Sequence, residues 1–529
     1  METNHFKSLL TELKINIPLH YHTGRNNFII TELDVERNKI TVEREAETSS
    51  VLNINFQKLL SLGQKFEKNK PIDTEVFFGS SGNDRSVLSG LAANTSEIYS
   101  VKINGRTHIV WCPQKSHEPN QIVMLNENDF QQICGINNND SMDSIPESYR
   151  KYLTALRTKP FLLLAGISGT GKSRIVRELA RASVTEQLQR QYDPKSVENG
   201  FHRSKLHKPA NFELIQVKPN WHNSLEVVGY KSNIGGAHYE FTPFVEFVAR
   251  AWQHPETPFF LCLDEMNLAP VEQYFAEFLS AIESRSIENG EYETDPIIKP
   301  FDEFGLDVSR AMIKHFFSDI EAFDAVSETS ETKLVKRLRT KGLTLPQNLL
   351  IFGTVNMDET TFTFSRKVLD RAMSILMNDV DYDKFFSGES ETIIGEMDDK
   401  VKQLLINRPI RGLDAVADTN TLDTVKNYLK NINSKLNDTP FKLGYRAANE
   451  ALLYVGAAQC FNPDGNATAA LDEFTMMKIL SRIEGDKRSV GNLLDNLQSV
   501  VNQDYPKSNA VLRSMAATLS SKQFVSYWT

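Results

Sequence analysis

This chain of 529 residues has few cysteines, no long apolar segment and no excess of positive charge. Its four cysteines lie far apart and form no Cys-x-x-Cys pair, which excludes a disulfide-rich scaffold and indicates reduced thiols in a cytoplasmic protein. No stretch approaches the roughly 18 consecutive apolar residues of a membrane-spanning helix. Because the first residues also lack a basic segment followed by an apolar one, we expect neither a membrane anchor nor a secretory signal.

The net charge of −9 argues against a protein that coats nucleic acid without regard to sequence, although it leaves room for a local basic groove. Residues 1–140 contain 14 Lys and Arg against 17 Asp and Glu, so this part is not globally basic either. No cluster of the Asp…Glu-x-Lys type stands out, and we therefore expect any nuclease activity to come from a partner. The length predicts about three domains.

A phosphate-binding loop is predicted at residues 161–173. An apolar segment typical of a buried strand is followed by Gly-x-x-x-x-Gly-Lys-Ser and a helix-like segment, whereas a chance glycine-rich turn would lack this context. Glycines let successive N–H groups turn toward phosphate oxygens, and the helix N-terminus adds positive potential. Lys172 can reach the β- and γ-phosphates, and the Ser173 hydroxyl can bind Mg²⁺. The residues predicted to hold the nucleotide are Gly166, Ser168, Gly169, Thr170, Gly171, Lys172 and Ser173.

Two carboxylates follow a second predicted strand, about 90 residues after this loop. Residues 258–263 are mostly apolar and lead directly to Asp264 and Glu265. Ligands bind at the carboxyl ends of strands in open α/β sheets, so Asp264 is predicted to hold Mg²⁺ through water. Glu265 is predicted to polarise the water that attacks the γ-phosphate. A strand that ends in Asp-Glu is weak evidence alone and gains weight from the phosphate loop before it.

A third apolar strand, beginning near residue 349, ends in a polar cluster that contains Asn356. An asparagine in this place can orient the attacking water or contact the γ-phosphate. The alternative is a structural role in an Asx-turn after the strand.

Three arginines further along the chain are candidates for phosphate contacts. Arg366 and Arg371 lie on a helical segment of mixed character, where arginines are usually solvated or paired locally. The alternative is a charge presented to the nucleotide of a neighbouring subunit. Arg446 opens a long apolar helix.

The chain is predicted to be an α/β protein with three parts. Residues 1–135 form a separate β-rich or α/β domain, with a strong hairpin signal at Asn104-Gly105. Residues 136–390 form the large α/β part that contains the three polar strand ends, and residues 391–529 are almost wholly helical. Residues 286–346 are interpreted as an insertion with mobile loops.

Several of these stretches together resemble the McrB family, the motor subunits of modification-dependent restriction systems, over about residues 145–529. They are Asp264-Glu-Met-Asn-Leu-Ala, Gly353-Thr-Val-Asn-Met-Asp-Glu-Thr-Thr, Val368-Leu-Asp-Arg-Ala, Gly444-Tyr-Arg and Phe474-Thr-Met-Met-Lys-Ile-Leu-Ser-Arg-Ile-Glu-Gly-Asp. The resemblance implies an AAA+ core with a parallel sheet, a sensor strand between the strands of the phosphate loop and the carboxylates, and a helical lid. It further implies a nucleotide-dependent hexameric ring, a partner nuclease of the McrC type, and DNA recognition by the N-terminal domain.

The resemblance also assigns roles residue by residue. Lys172 and Ser173 take the phosphate-loop roles and Asp264 and Glu265 the metal and catalytic ones. Asn356 matches the sensor, Arg371 best matches the arginine finger that acts on the neighbouring subunit, and Arg446 matches a nucleotide-binding arginine of the lid. Arg366 is the second choice for the finger.

The nucleotide itself stays open between GTP and ATP. The GTP-associated signature of the family is Met-Asn-x-x-Asp, whereas Asp358 here follows Asn356 one residue early and Val355 replaces the methionine. The predicted activity is therefore hydrolysis of GTP or ATP with Mg²⁺, coupled to DNA translocation and nuclease activation. A chaperone-like remodeller of protein complexes, similar to the MoxR group, is the alternative from another class, and a slowly hydrolysing scaffold is a third possibility.

Overall fold

The structure is a computed structural model, and the chain forms two compact units, residues 1–140 and 141–529. The boundary between an α/β part and a helical part, predicted at residue 390, lies inside the second unit and stays a prediction. The described residues are 3–15, 18–20, 27–35, 37–44, 51–53, 56–66, 72–73, 83–103, 106–112, 117–121, 123–125, 145–195, 207–288, 291–317, 329–357, 362, 364–378, 382–386, 394–416, 418–462 and 465–528.

The first unit combines two small sheets with helices, as the sequence predicts. Its described strands form the sheets β1-β2-β3-β4 and β5-β7-β6-β8. The last residue of β6, Ile103, pairs with the first of β7, Arg106, so these strands form the predicted hairpin, while its turn, Asn104-Gly105, lies outside the described residues. The elements are α1 (Thr3–Leu10), β1 (Pro18–His20), β2 (Asn27–Asp34), β3 (Lys39–Arg44), β4 (Val51–Asn53), α2 (Phe56–Lys65), β5 (Ile72–Asp73), α3 (Asn83–Ala93), β6 (Ile98–Ile103), β7 (Arg106–Trp111) and β8 (Met124–Leu125).

The second unit is built around a five-stranded sheet in the order β10-β13-β16-β9-β17, in which all neighbours are parallel. The strands of this unit are β9 (Phe161–Gly166), β10 (Phe212–Gln216), β11 (Tyr230–Ser232), β12 (His238–Glu240), β13 (Phe259–Asp264), β14 (Ser286–Glu288), β15 (Glu291–Glu293), β16 (Leu349–Asn356), β17 (Met373–Leu376), β18 (Glu484–Asp486) and β19 (Phe524–Ser526).

Helices cover both faces of this sheet, which explains why its central strands are continuously apolar. Successive residues of β9 point to opposite faces. Leu162 and Leu164 join a core that extends into the helices after residue 399, whereas Leu163 joins a core with α8 and α10. The helices are α4 (Glu147–Thr158), α5 (Lys172–Ser183), α6 (Glu186–Tyr192), α7 (Leu225–Val228), α8 (Pro243–Gln253), α9 (Val271–Tyr274), α10 (Ala276–Glu283), α11 (Leu306–Phe316), α12 (Ser330–Lys341), α13 (Arg366–Leu369), α14 (Tyr382–Phe386), α15 (Asp399–Ile406), α16 (Thr419–Lys435), α17 (Tyr445–Phe461), α18 (Ala467–Phe474), α19 (Lys487–Gln498) and α20 (Pro506–Lys522).

The region 286–346 is more ordered than the sequence suggests. Its described residues form the β14–β15 hairpin and the helices α11 and α12. Met312 and Leu338 from these helices are buried in the core on one sheet face. The interpretation of the region as an insertion with mobile loops stays a prediction, since residues 289–290 and 318–328 lie outside the described residues.

The region after residue 399 is helical as predicted, with two departures. Residues 475–479 form one π-helical turn between α18 and a short 3₁₀ helix. The strands β18 and β19 pair as a small antiparallel ribbon near the end of the described chain. Beside it, the indole Nε1 of Trp528 donates to the Ser481 carbonyl at 2.8 Å, so the aromatic tail is docked as the sequence indicates.

Two glycines inside helices give a matched test of packing around α17. A Cβ atom at Gly456 in α17 would lie 2.3 Å from the Ala415 carbonyl oxygen, whereas one at Gly491 in α19 would meet only the flexible Lys487 side chain at 3.6 Å. Helix propensity favours alanine at both positions by about 0.5–1 kcal/mol. We expect Gly491→Ala to raise the free energy of unfolding by that amount, and Gly456→Ala to lower it by about 1–3 kcal/mol through overpacking. Urea unfolding followed by circular dichroism measures both, and an equal gain from both substitutions would contradict the packing of α17.

Candidate nucleotide-binding site

The loop between β9 and α5 has the backbone that a phosphate cradle needs. Gly169 and Gly171 have φ angles of +83° and +81°, in the left-handed region that favours glycine. Gly166 has φ of +157°, and a Cβ atom there would lie 2.4 Å from the Met377 carbonyl oxygen. The tip of the loop, from residue 167 to 169, is exposed. The sequence Gly-x-x-Gly-x-Gly thus supplies the conformations by which N–H groups can converge on an anion.

The Lys172 ammonium lies inside this loop. Its Nζ atom donates to the carbonyl oxygens of Gly166 at 3.0 Å and Ile167 at 2.8 Å, and the residue is buried. The Thr170 hydroxyl also donates to the Ile167 carbonyl, at 3.1 Å. Ser173 follows on the first turn of α5, half-buried. The predicted loop residues are therefore brought together around one concave backbone.

The polar ends of β13 and β16 meet at the same edge of the sheet as this loop. Asn356 pairs in register with Gly166, which places the end of β16 beside the first loop glycine. The Asn356 side-chain Nδ2 donates to the Glu265 carboxylate at 3.2 Å. These contacts unite three segments that are separated by about 90 residues each in the sequence.

Thr354 holds the two carboxylate residues in place. Its hydroxyl donates to the Asp264 carboxylate at 2.6 Å and accepts from the Glu265 backbone N–H at 2.9 Å. Glu265 has φ of +51°, a left-handed conformation that costs a non-glycine residue about 1–2 kcal/mol. The hydroxyl of Thr354 offsets part of this cost, because it supplies the hydrogen bond that the turned backbone requires.

The donors at this edge fit Mg²⁺ held jointly with a nucleotide. The Asp264 carboxylate and the Ser173 hydroxyl are hard oxygen donors of the kind that Mg²⁺ prefers. Within the described residues no group of three or more His, Cys, Asp or Glu side chains could hold a metal ion alone. Mg²⁺ typically takes one or two protein ligands and completes its shell with water and phosphate oxygens, so this sparse donor set is the expected one.

A cavity of about 730 Å³ adjoins the loop and has the size of a nucleotide subsite. The cavity is lined by the start of α4, by Thr170, Gly171 and Arg174 of the loop and α5, and by residues from the end of α17, from α18 and from α20. At the start of α4, burial and a hydrogen bond to the Glu178 carboxylate raise the pKa of Tyr149. The helical region thus lines a cavity that also borders the phosphate loop.

Arg371 lies at the opposite edge of the sheet. Met373, the first residue of β17, pairs with Leu162 of β9, so Arg371 is level with Pro160. The six residues from Pro160 to Gly166, at about 3.3 Å per strand residue, separate it from the loop by roughly 20 Å. Its guanidinium binds the Leu279 carbonyl at 2.9 Å and the Glu283 carboxylate.

Arg446 also lies at this far edge, and its nucleotide-binding role stays a prediction. Its guanidinium pairs with Glu283, the same carboxylate that Arg371 contacts. Gln459, near the other end of α17, lines the cavity beside the phosphate loop. The 13 residues between Arg446 and Gln459 span about 20 Å along the helix. Arg446 therefore does not line the cavity that adjoins its own loop.

Arg366, the second finger candidate, donates to the Pro440 carbonyl at 3.1 Å and stacks on the Phe441 ring at 4.9 Å from its centre. These local contacts account for its charge. Asp358, the residue that was compared with the aspartate of the GTP-associated signature, lies outside the described residues.

Three residues of this arrangement were missed in the sequence. Thr354 joins the two carboxylates, Asn378 accepts from the Ile167 N–H at 3.1 Å, and Glu283 joins the two arginines. Polarity at the end of β16 was the signal for Thr354. Asn378 and Glu283 carry no signal, because their partners lie more than 80 residues away in the chain.

Residues 141–529 have the predicted α/β fold with a parallel five-stranded sheet. In this sheet β16, with Asn356, lies between β9 with the loop and β13 with the carboxylates, the strand position that the resemblance implies. No helix among the described residues is long and apolar enough to cross a membrane.

Comparisons with known proteins each match a part of this chain. A family model, DUF8727, a domain of unknown function, matches residues 399–524. The type II restriction enzyme NmeDI of Neisseria meningitidis serogroup C is 31% identical over 127 residues, 21% of this chain and 35% of that enzyme. The chain thus spans about a third of that relative. A solved structure of a candidate ATPase from Cytophaga hutchinsonii aligns over 65% of this chain and 85% of its own with a TM-score of 0.36 and 13% identity, too low to support an inference.

Thr354 provides a test of the geometry at the carboxylates. Thr354→Val removes the hydroxyl from two buried contacts, whereas Thr354→Ser retains it. We expect the valine variant to lose about 1–3 kcal/mol of stability and to hydrolyse nucleotide on the order of tenfold more slowly, with affinity for the nucleotide retained. Unfolding, fluorescent nucleotide binding and phosphate release measure these effects. A serine variant as slow as the valine variant would show that the hydroxyl is not the relevant group.

Proposed function

We propose that this chain is a ring-forming AAA+ nucleoside triphosphatase that hydrolyses GTP or ATP. The observation that carries the proposal is the hydrogen bond from Asn356 to Glu265, beside Asp264 and the phosphate loop. A carboxylate and an amide at one strand edge, next to a glycine-rich loop with the phosphate-binding sequence, are the parts that hydrolysis of a γ-phosphate needs.

Each residue has a defined task in this reaction. The backbone of residues 166–171 and the Lys172 ammonium hold the phosphates, and Lys172 exchanges its contacts with the loop carbonyls for phosphate oxygens. Asp264 and Ser173 hold Mg²⁺, which when bound neutralises charge on the β- and γ-phosphates. Glu265 accepts a hydrogen bond from the attacking water and draws its proton away, and Asn356 keeps the carboxylate in position.

The site of one subunit is completed by its neighbour in this proposal. Arg371 lies about 20 Å from the loop of its own subunit along the sheet, and Arg446 lies at the same far edge on Glu283. Neither can meet the nucleotide of its own subunit without a large rearrangement. A cyclic arrangement that brings this edge against the next subunit's loop gives both guanidinium groups a partner, and the McrB resemblance suggests a hexamer.

The free energy of nucleotide hydrolysis drives work on DNA in this proposal. We infer DNA translocation and activation of a McrC-like nuclease partner, with residues 1–135 selecting the DNA. The support is the McrB-like wording of five stretches and the partial similarity to a restriction enzyme. The chain would then belong to an antiviral restriction system in the cytoplasm.

Glu265→Gln tests the chemistry. The amide retains the size of the side chain and its contact with Asn356 but cannot accept a proton, so we expect nucleotide binding at wild-type affinity and a loss of turnover of 100-fold or more, roughly. Glu272→Gln, an exposed residue of α9, is the matched control and should leave both unchanged. Unchanged turnover in Glu265→Gln would refute its role as the base.

DNA selection is tested with the full-length protein. We expect an electrophoretic shift of duplex DNA at low salt that differs between methylated and unmodified duplexes and weakens as salt rises. Lys172→Ala should retain this shift, because it alters only the nucleotide site. Binding to neither duplex would refute the DNA-reading role and favour a remodeller of protein complexes similar to the MoxR group.

A further inference from the structure

A buried cluster of charges surrounds the segment that carries Arg371. It consists of Lys159 before β9, Glu450 on α17 and Lys478 on the π-helical turn, each at most 4% exposed. Glu450 forms ion pairs with Lys159 and, at 3.0 Å, with Lys478. None of these residues belongs to the nucleotide site, and two of the three lie in the region of unassigned function after residue 399.

The ammonium groups of this cluster bind the backbone of residues 369–372. Lys478 Nζ donates to the carbonyl oxygens of Leu369 at 3.0 Å, Asp370 at 3.1 Å and Ala372 at 2.9 Å. Lys159 Nζ also donates to the Asp370 carbonyl, at 2.6 Å. Carbonyl groups at a helix end need partners, and this segment directly follows the short helix α13. The residues that flank Arg371 are thus fixed by their main chain.

The charge balance explains why these contacts are strong. Two lysines share one buried carboxylate, so one positive charge is left in a buried region, where the carbonyl groups of Leu369, Asp370 and Ala372 accept hydrogen bonds from it. Burial lowers the pKa of Lys159 to about 7, which relieves part of the excess. Replacement of Lys478 would free the segment without leaving an unpaired charge, because Lys159 and Glu450 remain as a neutral pair.

Helix α17, which carries Glu450, also contacts the Arg371 side chain indirectly, through Glu283. Arg446 lies one turn before Glu450 on α17 and contacts Glu283, which holds the Arg371 guanidinium. Arg482, on the turn after Lys478, pairs with the Asp370 carboxylate at 3.3 Å. The helical region therefore contacts Asp370 and Ala372, the two residues that flank Arg371, and contacts the Arg371 side chain through Glu283.

We propose that the Lys159–Glu450–Lys478 cluster positions Arg371 for the neighbouring subunit, with Lys478 as the principal positioning residue. This rests on the proposed function, since it assigns to the helical region a part in the reaction of the next subunit. Movement of α17, whose far end borders the nucleotide cavity of its own subunit, is transmitted to the finger that serves the neighbour.

Lys478→Met is the test, with Lys402→Met as the matched control. Lys402 is another buried lysine of the helical region, and its ammonium pairs with the exposed Asp399. For Lys478→Met we expect kcat to fall on the order of 10- to 100-fold, as for a displaced catalytic group, with KM and fluorescent-nucleotide affinity unchanged within about twofold. Lys402→Met should retain the wild-type kcat. Should the methionine variant fail to fold, Lys478→Gln takes its place, and because the amide keeps two N–H donors we expect a fall in kcat in the same direction but smaller.

Mixed assemblies separate positioning of the finger from general damage. Lys478→Met has an intact phosphate loop, and Lys172→Ala has an intact finger, so mixing the two inactive proteins should restore partial turnover at the junctions where the loop of one meets the finger of the other. Arg371→Ala should give the same result. No recovery for Lys478→Met, with recovery for Arg371→Ala, overturns the positioning role, as does an unchanged kcat.

The reference proteins show which proposal has failed. A wild-type protein without hydrolysis refutes the proposed function and this inference together. If the wild-type protein hydrolyses nucleotide and Arg371→Ala has full activity, the finger role of Arg371 is refuted, and the positioning role of Lys478 is refuted with it. Activity lost in Arg371→Ala but kept in Lys478→Met refutes the positioning role alone.

Discussion

The position of β16 between β9 and β13 is the constraint on which the nucleotide site depends. Parallel pairing puts Asn356 level with Gly166 and the carboxyl end of β13 one strand away. Because Asp264, the last residue of β13, is level with Thr354, two residues before Asn356, short side chains are enough to join the strands. One threonine hydroxyl and one amide link the two carboxylates to β16. A shift of β16 by one residue would turn both groups to the wrong faces.

The sequence indicated more of the residues at this edge of the sheet than at the other. At the loop edge most residue types follow from local chemistry, namely glycines with positive φ, a lysine over carbonyls, and carboxylates after an apolar strand, although Thr354 and Asn378 were missed. At the far edge, Arg371 and Arg446 could be named, but their common partner Glu283 could not, because an acidic residue at the end of a helix is indistinguishable from a solvated one. The beginning of α17, where Arg446 lies, was visible in the sequence, whereas the direction of a 17-residue helix relative to the phosphate loop depends on tertiary packing.

The Lys159–Glu450–Lys478 cluster shows a similar limit. Burial of three charges gives no net stability over apolar side chains of the same volume, and such groups are often better explained by the geometry that they fix. Here the geometry is that of four backbone residues, not of a ligand. In the sequence the three residues are ordinary charges on amphipathic segments, and the π-helical turn that aims Lys478 inward interrupts the helical periodicity from which its direction could be predicted.

At the far edge, the Glu283 carboxylate occupies the guanidinium groups that the proposal assigns to a triphosphate. Its carboxylate binds two guanidinium groups, and it is about 40% exposed, so solvent reaches the pair and each contact is individually weak. A triphosphate offers the same guanidinium groups more charge and several acceptor oxygens. Arg371 keeps its backbone contacts to Leu279 and Lys367 through the two other nitrogens of the guanidinium, so only one nitrogen must change partner. In the proposed ring, the buried lysines would hold the backbone around Arg371 in place while the one nitrogen that contacts Glu283 changes partner to the triphosphate of the neighbouring subunit.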